Sequence, residues 1–342
     1  KKGAKLRRRF RRCIMAKVLN PGLQTLVNEW IGRVGYMELG ISHSGTMDNY
    51  ASRFANLLVG NDLNDPMLEL TAGNFAIEFE EDKIIAVTGA EFGIKISGQP
   101  APMWESIVVK AGDRLQVAGM NPAVKGFRVY LAVSGGVDVP EFMGSKTTSS
   151  TGAFGGYEGR ALKRGDIIHF GPDREGARAG MTINPKYKPT YTDTWEIHAI
   201  AGPQGAPDFF TEEGMELFFT ATWSVQTLAD RTGIRLDGPD LIFNPERAAA
   251  GGHPSNIIDH GYPGPGCVNV SGNTPILFPR ECPTSGGFIV ALSTNYADQW
   301  MIGQIRPGMD KVKFILSSQE EAIEMRKAQN AIFADPEAVI AK

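Results

Sequence analysis

Between residues 67 and 120 the chain alternates short apolar segments with turns, in the order LELT, FAIEF, KIIAVTG, GIKISG and ESIVVKAGDRLQVAG. Neighbouring side chains on a strand point to opposite faces, so the spacing of Phe75, Ile77 and Phe79, and of Ile94 and Ile96, predicts β-structure. Forty glycines and 21 prolines, spread out rather than repeated, extend that prediction to the whole chain: many tight turns and hence many short strands. A turn-and-strand phrase recurs at Lys110–Leu115, Lys163–Ile168 and Arg306–Val312, each with Gly and Asp in the turn. Those aspartates read as turn formers rather than catalysts.

With 342 residues there is room for two domains of roughly 100–200 residues each. Residues 171–194, polar, proline-punctuated and without apolar periodicity, read as a linker. They separate an N-terminal β-rich subdomain, 15–170, from a C-terminal β-rich subdomain, 195–316, followed by a terminal helix within 317–342. The predicted fold class is mainly β with a few helices, a β-rich α+β chain. One helix begins after Asp48, where Tyr50, Phe54, Leu57 and Leu58 make an apolar stripe and Asp48 is placed to cap the first turn. A second is expected over about 207–220. The last, 318–334, carries a Ser318/Glu321 capping box and a seam of Ile323, Met325 and Ala331-Ile332 suited to docking on its own domain.

The net charge of −3 hides an asymmetry. Residues 1–14 carry eight of the 35 basic residues and no acid, so the rest stands at −3 − 8 = −11. An acidic body is a poor nucleic-acid binder, because a phosphate backbone demands Lys and Arg. The basic head reads as a binding arm, a targeting piece, or sequence ahead of a natural start at Met15, the last being preferred. No apolar run reaches the ~18 residues of a membrane span. Cys13, Cys267 and Cys282 form neither a zinc pattern nor a disulfide framework, which points to a reducing compartment and so to the cytoplasm. Cys282 reads as a nucleophile or, more simply, as a small hydrophobe.

The chemistry concentrates in 251–290, GGHPSNIIDHGYPGPGCVNVSGNTPILFPRECPTSGGFIV. Here His253, Asn256, Asp259, His260 and Arg280 sit in glycine-rich loops between short apolar runs that read as buried strands. Such loops let backbone approach a small ligand, and the same residues equally suit plain Asx turns. The histidine spacing makes no convincing metal site. Ser44 and Asp48 lie at a helix N-terminus, where backbone donors favour an anionic group. Lys146 and Arg160 are the cations of a hydroxyl-rich loop, 144–170, able to contact a carboxylate or phosphate, or simply solvated.

Several phrases, taken together and in order, resemble the carboxyltransferase subunit of urea carboxylase and its relatives, the allophanate hydrolase subunit 2 or biotin-dependent carboxyltransferase family. They are Ser44-Gly45-Thr46-Met47-Asp48 with Ala55–Asn61, then Tyr130–Pro140, Gly144–Thr147 and Gly155–Arg160, then Asp230–Leu236, Gly286-Gly287-Phe288 and Gly303–Gly308. The resemblance runs from about 18 to 316. It implies two cyclophilin-like β-barrel subdomains and transfer of a carboxyl group from carboxybiotin to the nitrogen of urea or a urea-like amide.

On that resemblance Asn256 and Asp259 read the amide, with His253 and Arg280 beside them, and Asp259 or His260 accepts its proton. Lys146 or Arg160 steadies the carboxylate or ureido oxygen, and the loop from Ser44 to Asp48 lines the same cleft. No metal is implied. Biotin would arrive on a separate carrier protein and ATP would be used by a partner subunit. The implied partners are a biotin carboxylase, the biotinyl carrier and a sister carboxyltransferase subunit of allophanate hydrolase subunit 1 type. His253-Pro254-Ser255-Asn256 resembles the urea carboxylase branch, whereas Arg280-Glu281-Cys282 departs from the expected pattern and leaves the acceptor open among urea, guanidine and other amides. The alternatives are the third subunit of an ATP-dependent 5-oxoprolinase, or a non-catalytic antagonist of a kinase-inhibitor protein.

Overall fold

The computed structural model describes residues 14–248, 253–256, 264–286 and 288–341. The basic head up to Cys13, and the candidates Asp259 and His260, lie outside the described residues.

The N-terminal half is two antiparallel sheets sharing one core. One sheet orders its strands Ile167–Phe170, Ile14–Pro21, Gly73–Phe79, Arg114–Gly119, Ile94–Ile96 and Gln99–Ala101. The other runs Gln24–Asn28, Met67–Thr71, Arg128–Val133, Lys83–Gly89 and Ser106–Val109. The period-two pattern works as expected: Phe75, Ile77 and Phe79 are buried while Asn74 is exposed. Strand Arg128–Val133 is buried at every position because both its faces are covered. Val129, Leu131 and Val133 enter the core between the sheets, while Tyr130 and Ala132 meet helix Asn49–Leu58 on the outer side.

The C-terminal half closes into a seven-stranded barrel. Its order is Thr194–Ala201, Ile289–Thr294, Cys267–Ser271, Thr274–Leu277, Ile234–Asp237, Trp223–Ala229 and Lys311–Leu316, and the last strand pairs parallel to the first. Its interior is filled with side chains such as Trp195, Val268, Leu277 and Phe314. The two β-rich units thus close differently, one by hydrogen bonds around a ring and the other by packing sheet on sheet.

The recurring turn phrase has one physical basis. Asp113 accepts from Lys110 N at 2.8 Å, Asp166 from Lys163 N at 2.7 Å and Asp310 from Arg306 N at 2.8 Å. Each carboxylate closes the turn that launches the next strand.

Two expectations need correction. The stretch read as a linker is packed down: the buried Lys83 ammonium donates to Gly171 O at 2.8 Å and Asp173 Oδ1 at 2.7 Å, and Thr182–Ile183 pairs with Ile340–Ala341. The terminal helix, Gln319–Ala334, has its Ser318/Glu321 capping box, but only part of the expected seam makes contact: Ile332 packs on the core and Met325 Sδ accepts from Asn295 Nδ2 at 3.3 Å. Ile323 is exposed, and Gln329 and Phe333 are the buried residues. Phe333 packs on Tyr50 and Phe54 of the N-terminal half, while Gln329 Nε2 donates to Ala297 O at 2.7 Å in the C-terminal half. The helix straps the two halves together.

Candidate active site

Alternation along three neighbouring barrel strands builds a cavity. Val268, Val270, Ile234, Leu236 and Leu277 point into the barrel. Their neighbours Asn269, Ser271, Arg235 and Ile276 therefore face outward, and the pairing puts Asn269, Ile276 and Arg235 in one row across the wall. The turn containing Asp230, Thr232 and Gly233 rises on one side, and Phe278, Pro283, Ser285, Gly286 and Phe288 close the other. The cavity, partly open to solvent, has a volume of about 540 Å³, within the range of sites that hold drug-sized ligands. A second chamber of about 310 Å³ shares Asp230 and Thr232 with the first. It reaches into the seam between the halves, where Gln24, Thr71, Arg128, Ser150 and Arg231 line it.

Asn269 is 3% exposed and its Oδ1 has no hydrogen-bond partner among the described residues. A buried acceptor left unpaired costs about 1–3 kcal/mol, and its residue is among those lining the cavity. Arg235 also lines it, with no hydrogen-bond or ion-pair partner among the described residues. The site offers an acceptor and a cationic donor against apolar walls of Ile276, Phe278 and Phe288.

Beneath the cavity lies a buried ionic network. Arg231 donates from Nε to Glu281 at 2.8 Å, from Nη1 to Glu69, and from Nη2 to Gly45 O at 2.6 Å. Glu69 also accepts from Met47 N at 2.6 Å and from the Tyr130 hydroxyl at 3.0 Å. Glu281 accepts from the Ser150 hydroxyl at 2.6 Å and from Thr151 N at 3.2 Å. Burial alone would raise the Glu281 carboxyl, but the Arg231 charge and the Ser150 bond hold it below its ordinary range.

The residues singled out from sequence separate into groups. Asn256 adjoins the cavity wall, whereas His253 packs edge-on against Phe243 and is not among the cavity residues. His253 Nδ1 lies 2.9 Å from Ser255 Oγ, and Asn256, itself exposed, bridges Phe288 of the cavity wall. Ser44, Asp48 and Arg280 do not line the cavity; they are buried in the seam, where Asp48 and Arg280 are engaged and Ser44 Oγ has no partner among the described residues. Asp48 caps its helix through Tyr50 N and Ala51 N and accepts from Gln304 Nε2 at 2.7 Å. Burial raises its carboxyl to about 6, against the bonds that favour the charge.

Arg280 donates only to the backbone oxygens of Ser44, Trp30 and Ile31. Arg160 is held by Glu158 and Asp166 in a turn of the first sheet, which leaves it no free hand for a ligand. Lys146 sits in the loop beside Glu29 and is not among the cavity residues. Cys282 is buried, and burial lifts its thiol to about 12, which suits a small hydrophobe and not a nucleophile.

Sequence reasoning passes over Asn269, Arg235 and Arg231. The phrase Asp230–Leu236 stands out in the sequence as a landmark of resemblance only. The available signal is a polar residue at the outward position of an otherwise apolar strand, as in Cys267-Val268-Asn269-Val270-Ser271.

This architecture belongs to a known class. The family described as carboxyltransferase domain, subdomain A and B, matches residues 39–316, and the chain belongs to it. Urea amidolyase of Lachancea kluyveri is 36% identical over 327 residues, covering 92% of this chain and 18% of that protein. The 5-oxoprolinase C subunit of Escherichia coli (strain K12) is 34% identical over 322 residues, covering 93% of this chain and 96% of that one. The crystal structure of Kluyveromyces lactis urea carboxylase aligns with a TM-score of 0.88 at 34% identity, covering 95% of this chain and 29% of that chain. The chain therefore spans a fraction of the urea enzymes and nearly the whole of the oxoprolinase component.

Proposed function

We propose that this chain transfers a carboxyl group from carboxybiotin, borne on a separate carrier, to the nitrogen of urea or a urea-like amide. The observation that carries the reading is Asn269, a cavity-lining residue whose buried side-chain carbonyl has no partner among the described residues. An N–H donor satisfies such an acceptor, and a planar amide brings N–H groups on one edge and a carbonyl on the other. Arg235 stands in the same row of the wall to take that carbonyl or the transferred carboxylate. The volume exceeds what urea alone needs and leaves room for a bicyclic ureido headgroup against Phe278 and Phe288.

Bound there, carboxybiotin supplies an activated carboxyl group. The chain's own part is to keep water from the cavity, orient the amide and take its proton. In this reading Asn256, which pairs with Phe288, and Asp259 read the substrate edge, with Asp259 or His260 as proton acceptor. A biotin carboxylase using ATP, the biotinyl carrier and a sister carboxyltransferase subunit complete the enzyme.

A second reading, a component of an ATP-dependent 5-oxoprolinase, draws on the near-complete coverage of the Escherichia coli protein. The test is reconstitution with those partners, following decarboxylation of carboxybiotin with urea, guanidine or 5-oxoproline added. Acceleration by urea or guanidine supports transfer to an open amide, and acceleration by none of the three removes the proposal. ATP-dependent opening of 5-oxoproline without biotin selects the second reading.

A further inference from the structure

We infer that Arg231 is a positioning residue that sets the shape of the cavity from beneath, an inference that rests on the carboxyltransferase reading for its kinetic consequence. Arg231 sits in the turn between strands Trp223–Ala229 and Ile234–Asp237, flanked by Asp230 and Thr232, which line both chambers. It does not face the first cavity. Its guanidinium spends its three nitrogens on three separate segments: Glu281, Glu69 and the Gly45 carbonyl. Its own carbonyl accepts from Glu281 N at 2.9 Å.

Residue 281 is thus gripped twice, by backbone and by carboxylate, and the wall running from Pro283 to Gly286 starts two residues further on. The same Glu281 holds Ser150 and Thr151 of the N-terminal half. One side chain therefore fixes the two walls relative to each other and both of them to the first sheets, through Glu69 on strand Met67–Thr71. The planar fork matters here, because an ammonium cannot reach three partners in one plane.

The test compares Arg231→Lys with the wild-type chain in two ways. Hydrogen exchange of the isolated chain is followed at 281–286 and, as a reference, at Thr194–Ala201. The reconstituted enzyme is assayed for KM and kcat with urea, corrected for folded fraction. Faster exchange confined to 281–286, with a KM for urea raised roughly tenfold or more, is expected from a sub-ångström loss of wall placement.

An unchanged KM with kcat falling in step with the folded fraction is the signature of a merely structural residue and overturns the inference. So does unaltered exchange at 281–286. Should Arg231→Lys fail to fold, Glu281→Gln keeps the shape of the contact without its charge and is judged by the same two readouts. If the wild-type enzyme shows no urea-dependent turnover, the carboxyltransferase reading has failed, and the positioning role is decided on exchange alone.

Discussion

Asp48→Asn tests how the seam is held, and its outcome depends on pH in a direction the structure fixes. The Asp48 carboxyl is fully buried and rises from 3.8 to about 6. The folded state therefore binds this proton more tightly than the unfolded chain. The stabilisation it brings is complete below the unfolded value and is lost as pH rises through about 6, so stability falls across that window. About two pKa units correspond to roughly 3 kcal/mol.

Asparagine removes the titration but brings a conflict. Gln304 cannot flip, because its Oε1 already accepts from Phe127 N at 2.8 Å and Arg128 N at 2.9 Å. Its Nε2 must face residue 48, and with the helix cap occupying Asn Oδ1, two amide donors would meet where the acid accepts at 2.7 Å. That clash leaves buried donors unsatisfied at about 1–3 kcal/mol each. The two effects are of similar size near neutral pH, so a single measurement there decides nothing. The slope does.

Urea denaturation followed by tryptophan fluorescence, repeated from about pH 4.5 to 7.5, should show the variant least stable relative to wild type at the acid end. It should regain roughly 2 kcal/mol of that deficit by the neutral end, since about a third of the full effect is already lost at pH 4.5. Parallel stability curves for the two proteins would refute the assignment of a raised, buried carboxyl.

Gly303→Ala should open the same seam, since an added Cβ would fall 2.5 Å from the Met47 carbonyl carbon and 2.6 Å from Asp48 N, both backbone. A loss of about 1–3 kcal/mol in urea denaturation is expected, as for overpacked interiors. Phe333→Ala removes a ring packed on Tyr50 and Phe54 and capped by the Arg53 guanidinium 3.7 Å from its centroid. The contact is worth about 3–5 kcal/mol, so the terminal helix should undock first, seen as fast hydrogen exchange over 319–341 with the barrel still protected. Asn269→Ala should leave stability unchanged or raise it by up to about 1 kcal/mol, because it deletes an unsatisfied buried acceptor. It should weaken the response of carboxybiotin decarboxylation to urea about tenfold, the loss of one good hydrogen bond.

What is legible in the sequence follows the range of the interactions. Strand alternation, the Asp48 cap, the Ser318/Glu321 capping box and the aspartate-closed turns all depend on residues within a few positions, and each is where its pattern places it. Contacts across long separations are not readable. Arg231 and Glu69 are 162 positions apart, and nothing local to either announces the other. Ile323 and Phe333 show the same limit, because helical spacing yields a stripe but not the surface that selects which residues it buries.

The misassigned cations share one physical cause. Arg160 and Arg280 invite a ligand-binding role in the sequence because a cation among glycines and hydroxyls suits an anion. Arg160 is neutralised by two carboxylates, and Arg280 commits its Nε and Nη2 to three backbone carbonyls. A group whose donors are spent on the fold has none left for substrate, and what qualifies a residue for the site is the reverse: burial with a bond still owed. Asn269 meets that criterion, and Arg235 lies in the same row of the wall. On the proposed function the division of labour with Arg231 is that Asn269 and Arg235, which lack partners among the described residues, meet the ligand, and Arg231, bonded to three segments, holds the walls still.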